Sequence, residues 1–202
     1  MVFDLDGTLV DSWALHLRCL RRSVVAVGLE QPSGARLAAA QRPTDLETLA
    51  VLVPAGLLGE AARAYDAAFR EELAGGASPA PPMAGAREVV GLLRARGLVL
   101  GICTGRSRAH ARLLLDACGL PLDLTVARED APRPKPAADG LLLALRRLAL
   151  APEEAVYVGD SAADARQGAA AGVAATLLLG PPGPGRLASL NDLPAVLRKA
   201  RP

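Results

Sequence analysis

Two aspartates near the start of the chain, Asp4 and Asp6, stand two residues apart in the segment VFDLDGT. Side chains two residues apart in a strand point to the same face, so a strand here would bring both carboxylates together. Like charges held close repel, and an isolated buried charge is costly. Taken alone, such a pair is more often a turn or a helix cap. As a pair at a strand end it predicts a cation that the rest of the chain supplies or holds.

Other polar residues also follow apolar segments. Thr104 and Gly105 end the segment LVLGICTG, and Asp160 ends AVYVGD with Asp164 four residues later. Lys135 lies in the loop RPKPA, before the helix that leads to AVYVGD. In an open parallel sheet, ligands bind beyond the carboxyl ends of the strands. The pattern therefore predicts that these residues meet the two aspartates at one rim of a sheet.

Five apolar segments alternate with helical patterns along the chain. The apolar segments are VFDLD, then residues 98–105, 122–127, 155–160 and 173–180, and helices are predicted at 85–96, 108–118 and 138–148. Hydrophobic strands without polar alternation are typical of a parallel sheet that is covered on both faces. The pattern predicts an α/β fold with a doubly wound, mostly parallel, Rossmann-like sheet. The segment GPPGPG (180–185) is predicted to be a loop before a short C-terminal helix.

A long helical insertion separates the first two strands. Residues 13–74 contain helical segments and no convincing strand, and a Gly/Pro-rich linker follows at 75–85. Thr44 and Glu47 fit a capping box. We predict a helical cap domain at 14–83, inserted into a core domain formed by residues 1–13 and 84–202.

Composition excludes several classes of protein. A net charge of +2 over 202 residues does not favour a nucleic-acid partner. Three cysteines without CxxC spacing or a signal peptide are typical of reduced intracellular thiols. No apolar run approaches the roughly 20 residues that a membrane span needs. We therefore expect a cytoplasmic protein without a nucleic-acid or membrane partner.

The segments DLDGTLVDS, TGRS, KP and GDSAAD resemble, in this order, the four motifs of the haloacid dehalogenase superfamily. The resemblance covers nearly the whole chain, and the helical insertion looks like the first cap type of that family. The stretch from Lys135 to Gly172 is especially similar to phosphoglycolate-phosphatase-like members. DxDGT followed by GDxxxD in this arrangement is a specific signal, whereas any one motif is weak. Only three residues precede Asp4, so the first strand should be short unless the protein begins upstream of Met1.

The resemblance implies a phosphatase that hydrolyses a small phosphomonoester, such as phosphoglycolate, with Mg²⁺ as cofactor. Asp4 would be the nucleophile that forms an aspartyl-phosphate. Asp6 would protonate the leaving alkoxide and then deprotonate the attacking water. Mg²⁺ would lie between the Asp4 carboxylate, the Asp6 backbone carbonyl and Asp160. Asp164 would be an outer or additional carboxylate, or only a cap of the helix that follows it.

The remaining implied site residues would bind the phosphoryl group. Gly7 and Thr8 would allow a sharp turn and offer backbone N–H groups to phosphate oxygens. Thr104 would bind a phosphoryl oxygen through its hydroxyl and neighbouring amides, including that of Gly105. Lys135 would neutralise charge on the nucleophile and on the phosphoryl group.

Two residues of the insertion are further candidates. His16 lies on the first helix, where mutase-like relatives place an assisting histidine, and a plain surface histidine fits equally well. Arg42 lies where related caps lower a specificity loop, so it would bind a substrate carboxylate or be a solvated arginine.

Two other functions remain open from the sequence. A phosphomutase of the β-phosphoglucomutase type uses the same aspartyl-phosphate, and His16 favours it. A non-catalytic regulatory or binding module is the other, although the complete acidic set argues against it. In each case the expected partner is a small phosphorylated metabolite, and the protein is expected to be a monomer or a dimer.

Overall fold

The computed structural model describes residues 1–75, 79–181 and 183–199, which form two compact units. One unit combines Met1–Asp11 with Pro81–Pro202, and the other is Ser12–Ala80. The sequence places the insertion at 14–83, and its function as a cap stays a prediction. Residues 76–78 of the predicted linker and residue 182 of the predicted loop lie outside the described residues.

The larger unit is built on one parallel sheet. Within the described ranges its strands are β1 (Val2–Phe3), β2 (Gly101–Cys103), β3 (Leu124–Val126), β4 (Val156–Gly159), β5 (Ala175–Leu179) and β6 (Arg186–Leu187). The spatial order is β3-β2-β1-β4-β5-β6, and every neighbouring pair is parallel. This confirms the predicted α/β fold. β1 is short, as expected from its position at the start of the chain.

Strand β6 was not predicted. The sequence indicates a loop at 180–185 followed by a helix, whereas Arg186 and Leu187 pair with β5 before that helix begins. A strand of two residues is too short to show a hydrophobic period, so its pairing depends on the neighbouring strand rather than on a local pattern.

The smaller unit is helical. Its helices are α1 (Trp13–Ala26), α2 (Gly34–Ala40), α3 (Asp45–Leu52) and α4 (Leu58–Ala74). Helix α1 packs mainly on α4, and Arg18 Nε lies 2.8 Å from Glu72 Oε2 across this contact. The Thr44 hydroxyl caps α3 by accepting the Glu47 N–H, and it donates to the Glu47 carboxylate at 2.8 Å. The predicted cap of α3 is thus present, although Glu47 bonds the hydroxyl rather than the Thr44 amide.

Helices of the larger unit cover the sheet. They are α5 (Ala86–Ala95), α6 (Arg108–Cys118), α7 (Asp139–Arg147), α8 (Ala162–Ala171) and α9 (Leu193–Lys199). Short 3₁₀ turns occur at Ala55–Leu57, Arg128–Asp130, Pro152–Glu154 and Leu190–Asp192. No helix in the described part of the chain is long and apolar enough to cross a membrane. The side chains of Cys19, Cys103 and Cys118 are buried.

Helix α8 lies close to β5 because its residue 168 is glycine. A Cβ atom added to Gly168 would lie 1.9 Å from Thr176 Oγ1, far inside van der Waals contact. Threonine is short and branched, so it cannot move aside without a shift of the backbone. This close packing positions the N-terminal end of α8, which carries Asp164.

We predict that Gly168→Ala destabilises the protein by about 1–3 kcal/mol, the usual cost of overpacking a tight contact. The measurement is chemical denaturation of the purified variant. Gly91→Ala is the matched control, since Gly91 lies inside α5 and a Cβ there meets no atom within 4 Å. The control should gain up to about 1 kcal/mol from helix propensity. Equal effects of the two substitutions would contradict close packing at Gly168.

Candidate active site

Three strands end at one rim of the sheet, and a polar residue follows each of them there. Phe3 of β1 pairs with Ile102 of β2 and with Val158 of β4. The residues that directly follow these strands are Asp4, Thr104 and Asp160. Because parallel strands run in the same direction, their carboxyl ends lie side by side. The fold therefore brings together residues that lie up to 156 positions apart in the sequence.

Lys135 lies between two carboxylates. Its Nζ atom is 2.6 Å from Asp4 Oδ1 and 2.6 Å from Asp164 Oδ1, and the lysine side chain is buried. Burial alone would lower the pKa of Lys135, but the charge of Asp4 and the other acidic groups around it raise that pKa well above its usual value. Lys135 is therefore a permanent cation that holds the Asp4 carboxylate in place.

One lysine does not neutralise the carboxylates around it. One oxygen from each of Asp4, Asp160 and Asp164 lies within 4.8 Å of the others. Burial raises the pKa of Asp4 to about 8, against the lowering effect of Lys135. Partial desolvation and the Asp164 charge raise the pKa of Asp160 to about 6. Carboxylate oxygens are the ligands that Mg²⁺ prefers, so this excess of negative charge fits a divalent cation.

Asp164 is an orienting carboxylate. Its Oδ1 atom accepts hydrogen bonds from Lys135 Nζ and from the Tyr157 hydroxyl, at 2.6 and 2.7 Å. Its Oδ2 atom accepts the Ser161 hydroxyl and the backbone N–H groups of Ser161 and Asp160. Burial alone would raise the pKa of Asp164, but Lys135 and these hydrogen bonds keep it below its usual value. With both oxygens engaged, the outer position is the one that its geometry favours.

Asp6 has a partner that the sequence did not suggest. The Arg106 guanidinium donates from Nε to both Asp6 carboxylate oxygens, at 2.8 and 3.0 Å, and Arg106 Nη2 lies 2.8 Å from Oδ1. The Arg106 side chain is 7% exposed, whereas that of Asp6 is 30% exposed. The signal was present in the motif TGRS, but its third residue was not assigned a role.

Thr104 adjoins this pair. Its Oγ1 atom accepts the Arg106 N–H at 3.1 Å, which leaves the hydroxyl hydrogen to donate elsewhere. Its backbone N–H donates to the Val126 carbonyl of β3. Thr104 is buried and Gly105, the next residue, is half-buried. This agrees with the predicted position of both residues at the rim.

The turn after β1 uses amides that were predicted to bind phosphate. The Gly7 N–H donates to the Val10 carbonyl and the Thr8 N–H donates to the Leu5 carbonyl. Both N–H groups have partners within the turn itself, and their role in phosphate binding stays a prediction. Gly7 has φ +72, and a Cβ there would lie 2.3 Å from Asp160 Oδ2. Only glycine fits this turn beside Asp160.

A buried polar layer under the rim was also missed. The Tyr157 hydroxyl donates its hydrogen to Asp164 and lies 3.1 Å from Gln167 Oε1. Gln167 Nε2 in turn donates to the Ala137 carbonyl at 2.8 Å, close to Lys135 in the chain. Burial raises the pKa of the neighbouring Cys103 thiol to about 12, so this thiol is not a nucleophile at neutral pH.

The two candidates in the smaller unit lie in different settings. His16 is 7% exposed, which excludes a plain surface histidine. Its Nδ1 lies 2.6 Å from the Tyr65 hydroxyl, and its Nε2 lies 3.2 Å from Gln41 Oε1. Gln41 Nε2 donates to the Leu37 carbonyl, so Oε1 is the acceptor and His16 Nε2 is the donor. Arg42 is exposed, and its Nη1 donates to the Ala39 and Gln41 carbonyls.

The rim combines three groups that are suited to nucleophilic chemistry. A buried lysine fixes one carboxylate, a second carboxylate stands two residues away, and a threonine hydroxyl has a hydrogen to donate. Lys135 contacts the Asp4 carboxylate at Oδ1, and within the described residues Asp4 Oδ2 is not engaged. Such a carboxylate can act as a nucleophile.

Comparisons with known proteins agree with this arrangement. A family model described as haloacid dehalogenase-like hydrolase matches residues 1–178. A probable phosphatase of Dickeya dadantii, IndB, is 32% identical, over 87% of this chain and 78% of that protein. A phosphoglycolate phosphatase of Rhodospirillum rubrum is 33% identical, over 86% of this chain and 76% of that protein.

A solved structure supports the fold and the family together. CbbY from Rhodobacter sphaeroides, crystallised in complex with phosphate, superimposes with a TM-score of 0.81 at 26% identity. The match covers 95% of this chain and 94% of that chain.

We predict that Asp160→Asn raises the melting temperature of the metal-free protein at pH 8, because it removes a charge from the crowded carboxylates. A change on the order of 2 °C is the scale expected for a fraction of a kcal/mol in a chain of this size. The Asp160 pKa of about 6 lies above its usual value. The folded state therefore binds this proton more tightly, and its contribution to stability is lost as pH rises from about 4 to about 6. The gain should shrink at pH 5.

Thermal unfolding in EDTA and in Mg²⁺ tests this prediction. Mg²⁺ should raise the melting temperature of the wild-type protein at pH 8 more than that of Asp160→Asn. Asp116→Asn is the control, since it removes an exposed carboxylate of α6 outside the site. A wild-type melting temperature that does not respond to Mg²⁺ would count against a metal at the rim.

Proposed function

The chain belongs to the haloacid dehalogenase-like hydrolase family and is a phosphoric monoester hydrolase, and from this we propose that it is a Mg²⁺-dependent phosphatase acting through a phosphorylated Asp4. The observation that carries the proposal is the buried Lys135 ammonium 2.6 Å from the Asp4 carboxylate. A nucleophilic carboxylate must approach an anionic phosphoryl group, and a fixed cation lowers the repulsion between them.

The proposed reaction has two displacements at phosphorus. An Asp4 oxygen attacks phosphorus, the bond from phosphorus to the ester oxygen breaks, and Asp6 gives a proton to the departing alkoxide. Asp6 then takes a proton from a water molecule, whose oxygen attacks the same phosphorus. The bond from phosphorus to Asp4 breaks, orthophosphate leaves, and both aspartates return to their starting states. Thr104 would donate its hydroxyl hydrogen to a phosphoryl oxygen throughout.

The residues present fit a magnesium ion. Asp4 and Asp160 would supply carboxylate oxygens, Asp6 its backbone carbonyl, and Asp164 an outer carboxylate. When bound, Mg²⁺ would offset the negative charge of the carboxylates and of the phosphoryl group. Lys135 would keep its position with or without the ion, since Asp164 holds it.

The phosphomutase alternative loses its specific support. It rested on His16 as a residue that assists phosphoryl transfer. Both ring nitrogens of His16 are engaged by Tyr65 and Gln41 within the helical unit, which favours a structural histidine. Release of orthophosphate from several monoesters would separate a phosphatase from a mutase and from a non-catalytic module.

Phosphoglycolate is the substrate that we propose first, in the cytoplasm. The basis is the name of the Rhodospirillum rubrum relative and the exposed guanidinium of Arg42 in the predicted cap. Phosphoglycolate carries a carboxylate, for which an arginine fork is a suitable partner.

We predict that Asp4→Asn abolishes turnover of every substrate and forms no phosphoenzyme, because the nucleophile is lost. Asp6→Asn should lose about 10² to 10⁴-fold in rate, the usual worth of positioned proton transfer. An activated ester such as p-nitrophenyl phosphate needs little protonation of its leaving group, so its first step should suffer least. Asp6→Asn should therefore accumulate phosphate on Asp4 with this substrate.

Mass spectrometry after an acid quench measures this phosphoenzyme. The reactions contain Mg²⁺, and a parallel set with EDTA is the negative control. Turnover by Asp4→Asn, or a phosphoryl group on another residue, would show that the roles are assigned incorrectly.

Arg42→Ala should lower kcat/KM for phosphoglycolate by about 10 to 100-fold, the scale of one hydrogen bond to a charged group. The rate with p-nitrophenyl phosphate should change little, because that ester has no carboxylate. Arg63→Ala is the matched control, an exposed arginine of α4 in the same unit. Equal losses on both substrates, or none on either, would return Arg42 to a solvated arginine.

A further inference from the structure

The pair formed by Arg106 and Asp6 is not explained by the proposed reaction. Its geometry is that of a bidentate ion pair, with three nitrogen–oxygen distances of 2.8 to 3.0 Å. The backbone of Arg106 is fixed on both sides: its N–H donates to Thr104 Oγ1, and its carbonyl accepts the Arg128 N–H at 2.9 Å. The guanidinium is therefore presented at the rim by a well-anchored loop.

The pair conflicts with the task that the reaction gives to Asp6. Both Asp6 carboxylate oxygens accept an N–H group of Arg106, whereas a general acid must place one of these oxygens against the leaving-group oxygen. Asp6 cannot protonate a leaving group while this pair is intact. The pair must open, or lose one oxygen, before the first displacement.

Arg106 has a suitable second partner in the proposed substrate. Its backbone N–H bonds the hydroxyl of Thr104, the residue proposed to bind the phosphoryl group, and its guanidinium bonds Asp6 at the same rim. A guanidinium fork matches two phosphoryl oxygens as well as it matches a carboxylate. A phosphoryl group carries more negative charge than one carboxylate, so it competes effectively for the arginine.

We propose that Arg106 is a positioning residue that changes partner: it bonds the Asp6 carboxylate in the free protein and a phosphoryl group when substrate is bound. In the free protein its guanidinium engages both carboxylate oxygens of Asp6. When a phosphoryl group enters, the guanidinium transfers to phosphoryl oxygens and releases Asp6, whose oxygens can then contact the leaving-group oxygen. This proposal rests on the proposed function of the rim, and it adds a residue and an order of events to it.

A double-mutant cycle on phosphate binding tests the exchange without turnover. The probe is inorganic orthophosphate, measured by isothermal titration calorimetry in Mg²⁺ on the full chain. Asp6→Asn removes the competing carboxylate, so orthophosphate should bind about tenfold more tightly, the scale of one charge-assisted hydrogen bond. Arg106→Ala should bind orthophosphate about tenfold more weakly.

The double variant separates exchange from simple repulsion. If Arg106 mediates the effect, Asp6→Asn should give no gain in the Arg106→Ala background. If Asp6 only repels the anion, the gain should persist in that background, and the proposal would be wrong. An Arg106→Ala variant that binds orthophosphate as tightly as the wild type would also overturn it.

Two further variants test whether Arg106→Ala acts only through misfolding or through a general loss of positive charge. Arg106→Lys keeps the charge but not the fork, so it should fold and restore part of the phosphate affinity. Arg108→Ala is the matched control, because that exposed arginine of the same segment pairs with Asp130 instead of Asp6. It should leave orthophosphate affinity within about twofold of the wild type, as expected for a distant, screened charge. Loss of turnover with the phosphate cycle intact would refute the proposed reaction but not the exchange.

Discussion

The buried ammonium of Lys135 is the interaction on which the rim depends. It lies 2.6 Å from an oxygen of Asp4 and 2.6 Å from an oxygen of Asp164, and a buried charge of either sign is tolerated only when it is paired. Tyr157 and Ser161 donate hydrogen bonds to Asp164 and fix its position. Asp164 in turn fixes the position of the lysine. Without this lysine, Asp4 and Asp164 would lose the ammonium that both of them contact.

That arrangement leaves the rim with more negative than positive charge. Burial, together with the neighbouring carboxylates, raises the pKa of Asp4 and of Asp160, which means that the fold is destabilised when both are ionised. In the proposed function, a divalent cation offsets this charge and allows a phosphoryl group to approach. The proposed site would then be less stable when it is empty than when it is occupied.

Local patterns revealed the strand ends but not the partners across the sheet. Asp4, Thr104 and Asp160 were found because each follows an apolar segment, and the rule for parallel sheets places such ends side by side. The partner of Asp6 is 100 residues away, and nothing in the sequence around Arg106 states which carboxylate it bonds. The N–H groups of Gly7 and Thr8 show the same limit, because a short motif does not indicate that the turn bonds them itself. For His16 the sequence left an assisting histidine and a plain surface histidine equally open, because its partners Tyr65 and Gln41 lie elsewhere in the chain.

The two cations at the rim differ in how firmly they are held. Lys135 is a compact charge between two buried carboxylates, one of which has all its oxygens engaged, so no anion can replace its partners without breaking the fold. Arg106 pairs with an aspartate that is 30% exposed, through a planar fork that fits a phosphoryl group equally well. The chain has only two lysines and many arginines. One of the lysines, Lys135, occupies the position where the positive charge must stay, and Arg106 occupies the position where the charge can change partner. The distinction follows from burial and donor geometry. In the proposed reaction, the fixed cation adjoins the nucleophile and the exchangeable one adjoins the acid.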